Sequence, residues 1–151
     1  MRLDIQLKIL DSRIEKYLPK YATPLSAGMD LPALLEKPLL LAPQQTALIP
    51  CGFAMLINTP NIFAMITPRS GLGHKHGIVL GNTVGIIDAD YAGEVKVSLL
   101  NRSNKPYTIK PFDRIAQLII LPCIQSTWQI VDGFDLENNT RGNGGFGSTG
   151  K

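Results

Sequence analysis

Cysteine is nearly absent from this sequence: its 151 residues include only Cys51 and Cys123, each in an apolar neighbourhood with no second cysteine nearby. This argues against a disulfide framework and a zinc ribbon, and predicts buried free thiols in a reducing cytoplasm. Charge is also scarce. Charged residues make up 18%, and 15 Lys and Arg against 12 Asp and Glu leave a formal charge of +3. The pI of about 9.0 therefore reflects a small excess of base, which suits a phosphate ligand better than a nucleic-acid duplex. No apolar run approaches the roughly 20 residues of a membrane span. Met1-Arg2-Leu3-Asp4 opens an alternating segment and not a signal-peptide core, so a soluble, unsecreted chain is expected.

Turn formers, in contrast, are plentiful. The 14 Gly and 11 Pro interrupt long helices and nearly exclude a helical bundle. At 44% hydrophobic residues the length predicts one compact domain. Leu3, Ile5, Leu7 and Ile9 are apolar at every second position with Asp4, Gln6 and Lys8 between them, which predicts a strand with one buried face. Further strands are predicted over 45–49, 53–57, 63–67, 94–100, 107–109, 115–121 and 127–131. Pro32 and Pro38 fence the Leu-rich stretch between them too tightly for a helix, so it reads as strand and turn. The expected fold is all-β, a sandwich, jelly roll or barrel over residues 1–137. Residues 138–151, rich in Gly and Asn, have too little apolar surface to order themselves and read as an arm that is disordered or ordered by a ligand.

Several apparent motifs fail. Gly145 to Lys151 reads G-x-x-x-x-G-K, but the P-loop hydroxyl would fall after the last residue, with no strand before and no helix after. Gly71-Leu-Gly73 begins a dinucleotide fingerprint whose third glycine is replaced by His76. His74 and His76 would share a face in a strand, yet no third metal ligand has suitable spacing, and solvated loop residues or interface partners fit them better. Asn101-Arg-Ser103 and Asn138-Asn-Thr140 are formal glycosylation sequons without meaning in an unsecreted chain.

Three segments carry chemistry. Residues 85–97 combine the apolar run Gly85-Ile86-Ile87, the acidic turn around Asp88 and Asp90, and an alternating run, which predicts a β-hairpin with polar groups at its tip. A turn alone accounts for the aspartates. A carboxylate held rigidly and partly desolvated beside a short strand also suits a general base that activates water. Thr67-Pro68-Arg69-Ser70-Gly71 places a guanidinium, a hydroxyl and a flexible amide together after a strand, either an ordinary turn or a set of donors for phosphate oxygens. The arm adds Arg141, Phe146, Ser148, Thr149 and many glycine amides, suited to a polyphosphate with an aromatic ring to stack on a base.

As a set, these segments resemble the trimeric dUTPase family. Five blocks match in order: Ala27-Gly28-Met29-Asp30-Leu31; Pro68-Arg69-Ser70-Gly71-Leu72 continuing to Asn82; Gly85-Ile86-Ile87-Asp88-Ala89-Asp90-Tyr91-Ala92-Gly93; Arg114-Ile115-Ala116-Gln117-Leu118; and Arg141 through Gly150. The resemblance implies a jelly-roll homotrimer whose three active sites are shared between subunits, the arm of one closing over a site formed by the other two. It implies hydrolysis of dUTP to dUMP and pyrophosphate, limiting uracil in DNA and supplying dUMP for thymidylate synthesis. Mg²⁺ would be held by triphosphate oxygens and waters.

On this resemblance Asp88 is the base for the attacking water, Arg69, Ser70, Gly71 and Gln117 hold the triphosphate, and Asp30 reaches the water shell of the metal. The uracil edge would be read by main-chain groups of Ile86, Ile87 and Lys96 and by the Asn82 amide, with Tyr91 packed on deoxyribose. Phe146 would cover the base, with Arg141, Ser148 and Thr149 near the γ-phosphate. Phe112 departs from the glycine usual in the family before Asp113-Arg114, which bears on the local turn, and Ala92 fills a variable position. Three alternatives fit less well: a dCTP deaminase relies on a glutamate and lacks the arm, a non-catalytic nucleotide sensor would be expected to have lost Asp88 or the arm, and a barrel binding single-stranded nucleic acid needs more exposed aromatics and a basic groove.

Overall fold

The structure, a computed structural model, describes residues 3–134. The strands are β1 (Gln6–Ile9), β2 (Gly28–Pro32), β3 (Leu39–Leu41), β4 (Thr46–Leu56), β5 (Ile62–Pro68), β6 (Ile78–Leu80), β7 (Gly85–Ile87), β8 (Glu94–Asn101), β9 (Tyr107–Ile109) and β10 (Arg114–Pro122). A 3₁₀ turn spans Ser12–Tyr17, and one α-helix, α1 (Ser70–His76), follows β5. One antiparallel sheet has the order β1-β4-β8-β6, a second β2-β10-β5-β7, and β3 pairs with β9 in a ribbon. The all-β fold is the one the strand and turn pattern predicts, and its jelly-roll-like arrangement is the one the family resemblance implies.

The core forms where alternation is strictest. Val95, Val97 and Leu99 on β8 are buried while Lys96 between them is exposed, and β4 adds Ile49, Cys51, Phe53 and Met55. The second sheet contributes Leu31, Ala64, Ile66, Ile87 and Leu118 to the same cluster. Each large side chain so buried stabilises the fold by about 1.5–3 kcal/mol. Asn101 is the one fully buried polar residue among those described, and its amide is satisfied on both sides. Its Nδ2 donates to Leu41 O (2.9 Å) and Lys105 O (2.8 Å), while Oδ1 accepts from Ser103 N (3.0 Å) and Ser103 Oγ (2.7 Å). The Asn101 sequon is thus a structural hub.

Five expectations change. Segments 45–49 and 53–57 form one strand, β4, bent at Gly52, whose φ of +77° lets the chain shift register between Pro50 and Ala54 without ending the sheet. The 85–97 hairpin does not form. β7 pairs with β5, and β8 pairs with β4 and β6, so residues 88–93 cross from one sheet to the other. Residues 127–131 form no strand, and Trp128 and Ile130 are 95% and 97% exposed. The N-terminal strand begins at Gln6, and Leu7 and Ile9 are about two-fifths exposed, an apolar face left uncovered by the described residues of this chain.

The turn after Arg69 is α1, on which His74 and His76 are both exposed. They lie two residues apart on a helix and so point to different sides. The low helix propensity of Gly71 and Gly73 is overridden here by packing of Leu72 against the core and by the left-handed cap at Gly77 (φ +69°). A Cβ at Gly77 would come within 2.9 Å of Ser103 Cβ.

The turn before Arg114 forms despite Phe112, which adopts φ +65°. That conformation costs a non-glycine residue about 1–2 kcal/mol. The Phe112 ring stacks on Tyr17 with centroids 4.3 Å apart and planes 5° from parallel, a contact that offsets about 0.5–1.5 kcal/mol of it.

Candidate functional site

β10 runs between β2 and β5, and its register sets Gln117 opposite Asp30 on one side and Thr67 on the other. Two residues beyond Thr67, Arg69 therefore reaches back over the same row. Its Nε donates to Asp30 Oδ1 (2.7 Å) and its Nη1 to Arg114 O (3.2 Å). Arg114 Nη1 donates to the other carboxylate oxygen, Asp30 Oδ2 (2.9 Å). Asp30 is thus held between two guanidiniums. Arg69 still has three of its N–H bonds for a ligand. Gln117 Nε2 donates to Pro68 O (3.1 Å), while Thr67 Oγ1 in the same row is buried with no partner.

Asp30, Arg69 and Gln117 line an open depression of about 390 Å³ together with Ser70, Gly71, Leu72, Lys75 and His76. Ser70 and Gly71 open α1 at the surface, and nothing lies within 4 Å of where a Gly71 Cβ would stand. The structure therefore brings together Asp30, Arg69, Ser70, Gly71 and Gln117. The surplus of cations and free N–H donors gives this surface the chemistry that suits an anion.

The second group stands elsewhere. β7 is antiparallel to β5, pairing Gly85 with Ile66 and Ile87 with Ala64, so Asp88 leaves the sheet beside Phe63. Six residues of β5 then separate Asp88 from Arg69, a distance of about 20 Å at the rise of a strand. Asp88 is exposed in this chain, contrary to the expected partial desolvation, and its carbonyl accepts from Tyr91 N (3.2 Å).

Tyr91 folds back so that its hydroxyl donates to Glu94 O (3.0 Å). A Cβ at Gly93 would sit 2.5 Å from that hydroxyl oxygen, so glycine there leaves room for the Tyr91 ring in this position. Ile87 is buried at 8% exposure, Ile86 is 57% exposed, and Lys96 Nζ lies 3.4 Å from Glu94 Oε2. Asn82 occupies an exposed turn closed by Val84 N donating to Asn82 O (2.7 Å). Arg141, Phe146, Ser148 and Thr149 lie outside the described residues.

Sequence reasoning missed Arg114, Lys75 and His76 as site residues. Arg114 and Gln117 are three apart, an odd spacing that puts them on opposite faces of a regular strand. The β2–β10 register shifts between Arg114 and Ala116, and Arg114 and Gln117 both reach the Asp30 row. Among the described residues no group of three or more His, Cys, Asp and Glu side chains could hold a metal. Asp30, with two of its carboxylate acceptor sites used by Arg69 and Arg114, keeps lone pairs that can face a cation or the water around one.

The dUTPase family model matches residues 15–150. The chain is 58% identical over 153 residues to the deoxyuridine 5'-triphosphate nucleotidohydrolase of Aeromonas hydrophila, covering 100% of this chain and 99% of that protein. It is 52% identical over 150 residues to the protein of the same name from Neisseria meningitidis serogroup A, covering 99% of each. A mutant dUTPase of Staphylococcus bacteriophage 80alpha, solved with dUpNHpp, superposes with a TM-score of 0.85 at 25% identity, over 98% of this chain and 99% of that one.

Proposed function

The chain belongs to the dUTPase family, and from that premise we propose that it hydrolyses dUTP to dUMP and pyrophosphate in active sites shared between the subunits of a homotrimer. The observation that carries the shared site is the separation of Asp88 and Arg69 at opposite ends of β5. At about 20 Å one chain cannot put both on neighbouring phosphates of the same substrate, whereas Asp88 of one copy can meet the Arg69 depression of another. Exposed Ile124, Trp128, Ile130 and Phe134 support assembly, because a monomer would leave this apolar series in water.

In this reading Arg69, Ser70, the Gly71 amide and Gln117 bind phosphate oxygens, and Asp30 holds Arg69 and Arg114 in place. Asp88 orients a water and takes its proton as the water oxygen bonds to the α-phosphorus. The bond from phosphorus to the bridging oxygen breaks in line and pyrophosphate leaves. Asp30 would reach, through water, a Mg²⁺ carried by the triphosphate, and that ion would supply neutralisation of phosphate charge. Main-chain groups of Ile86, Ile87 and Lys96 and the Asn82 amide read uracil. Cytosine would leave them unpaired and thymine would meet a wall at its methyl.

Tyr91 packs on the deoxyribose and excludes a 2′-hydroxyl. Residues 1–137 form the catalytic domain and 138–151 the closing arm, whose Arg141, Phe146, Ser148 and Thr149 exclude water. No helix among the described residues is long and apolar enough to cross a membrane. We place the enzyme in the cytoplasm, limiting uracil incorporation into DNA and supplying dUMP for thymidylate synthesis.

The test is pyrophosphate release from dUTP, dCTP, dTTP and UTP with magnesium, followed by subunit mixing. Asp88→Asn and Arg69→Ala are each expected to be inactive, and unfolding and refolding them together should restore a fraction of dUTP-selective activity. No restoration from well-folded mixed trimers would overturn the shared site. A parent protein that binds dUTP without releasing pyrophosphate would make a nucleotide sensor the better account.

A further inference from the structure

We propose that the stacked pair Tyr17–Phe112 is a clamp that positions the phosphate-binding Arg69 through the backbone of Arg114. This rests on the reading of Arg69 as a phosphate ligand and adds two positioning residues that touch no substrate.

The clamp has two jaws from distant parts of the chain. Tyr17 ends the 3₁₀ turn Ser12–Tyr17, which is fixed from beneath by fully buried Ile14. Its outer side is held by Arg13, ion-paired with Asp11 and Glu36 at 2.7 Å each. Phe112 sits in the tight turn before β10. There Lys110 N donates to Asp113 Oδ2 (2.8 Å) and Asp113 N to Lys110 O (3.1 Å). The turn is tied to the end of β2 by Phe112 N donating to Ala33 O (2.7 Å) and Ala33 N donating to Asp113 O (2.8 Å). These bonds leave the chain entering Arg114 little freedom.

A phenylalanine at φ +65° has an incentive to relax toward negative φ, and any such rotation swings the following peptides. Stacking on the anchored Tyr17 ring opposes that rotation. The residue that would swing is the one Arg69 depends on, since Arg114 presents its carbonyl to Arg69 Nη1 and its guanidinium to Asp30 Oδ2. Asp30 Oδ1 in turn fixes Arg69 Nε. The aromatic pair therefore sets two of the contacts that orient Arg69, one directly through Arg114 and one through Asp30.

The experiment uses the full-length protein with Tyr17→Ala, Phe112→Gly, the double variant and Tyr17→Phe. It measures kcat and KM for dUTP, calorimetric binding of inorganic triphosphate, and melting temperature. Tyr17→Ala leaves the positive φ of Phe112 unopposed and should raise KM and weaken inorganic triphosphate binding by about tenfold, with kcat within about twofold of the parent. Phe112→Gly adopts the same φ without strain and should keep parental values, and in the double variant the glycine should bring KM and triphosphate affinity back to within about twofold of the parent. Tyr17→Phe should retain parental values.

Because glycine accepts the positive φ without strain, recovery of affinity in the double variant separates relaxation of Phe112 from a general loss of stability in Tyr17→Ala, which the melting temperatures report. Parental KM and triphosphate affinity in Tyr17→Ala, a double variant as impaired as Tyr17→Ala alone, or a fall in kcat at constant KM would each overturn the clamp. If the parent releases no pyrophosphate from dUTP, the proposed function fails, while triphosphate affinity still judges the clamp on its own.

Discussion

At the C-terminal end of β5, Arg69, Asp30 and Arg114 hold one another at 2.7–3.2 Å. At its N-terminal end Asp88 stands exposed, with no side-chain hydrogen bond among the described residues. The first end is finished by the chain itself. The second is held in shape through its backbone, by Tyr91 and Gly93, and presents its carboxylate outward. Preorganisation is thus divided: one end is braced by ion pairs within the chain, and the other leaves its carboxylate to an environment this chain does not supply. On the proposed function, that division would make an isolated chain a binder of anions and leave chemistry to the assembled protein.

The strongest way to break this contrast is Asp88→Asn, which should lower kcat for dUTP by roughly 10²–10⁴-fold while calorimetric affinity for inorganic triphosphate stays parental. A matching loss of triphosphate affinity would put both ends in one function and end the distinction. Asp30→Ala attacks the other end. Without its shared acceptor Arg69 loses a charge-assisted bond of about 1.5–3 kcal/mol, so KM should rise by about tenfold to a hundredfold with a smaller change in kcat.

Gly93→Ala sharpens the description of the acid end. The new methyl meets the ring end of half-exposed Tyr91, which can swing aside, so the cost in stability should stay below about 1 kcal/mol. The displaced ring should also narrow the rate ratio between dUTP and UTP, measured in competition.

The smallest expected effect concerns thiols remote from either end. Burial, with a lesser contribution from Glu94, pushes the Cys51 thiol up to about 12. In the native protein at pH 8 a thiol reagent should therefore modify half-buried Cys123 and spare Cys51. Because the folded thiol keeps its proton where the unfolded one ionises, Cys51 should lower stability as pH rises from about 9 to about 12, read as a falling denaturation midpoint.

Legibility followed the range of the interactions. Alternation over 94–100 marked a strand correctly because period-two burial is a local signal, and 115–121 was marked by its apolar run between turn signals. The pairing of β7 was not legible: Gly85-Ile86-Ile87 could join either flank, and its choice of β5 is made by packing of Ile87 in the core. Arg69, Ser70, Gly71, Asp30 and Gln117 converge as the ordered blocks implied. Arg114 escaped notice because a bulge, invisible in the residue pattern, reverses the face of a strand. The turn at Phe112 defied the glycine rule, since its compensating partner, Tyr17, lies far off in sequence.

Buried Asn101 has a consequence for where this chain can mature. Its amide nitrogen is spent on Leu41 O and Lys105 O inside the finished fold, yet Asn101-Arg-Ser103 is open to oligosaccharyl transfer while the chain is still unfolded. Routed through a glycosylating secretory pathway, the protein would receive a sugar at a position with no room for one. The molecule would be trapped before β8 could dock. A residue that contacts no substrate thereby restricts the production hosts and export routes in which this sequence can reach its native state, and Asn101→Gln would not lift that restriction without breaking the hub it removes.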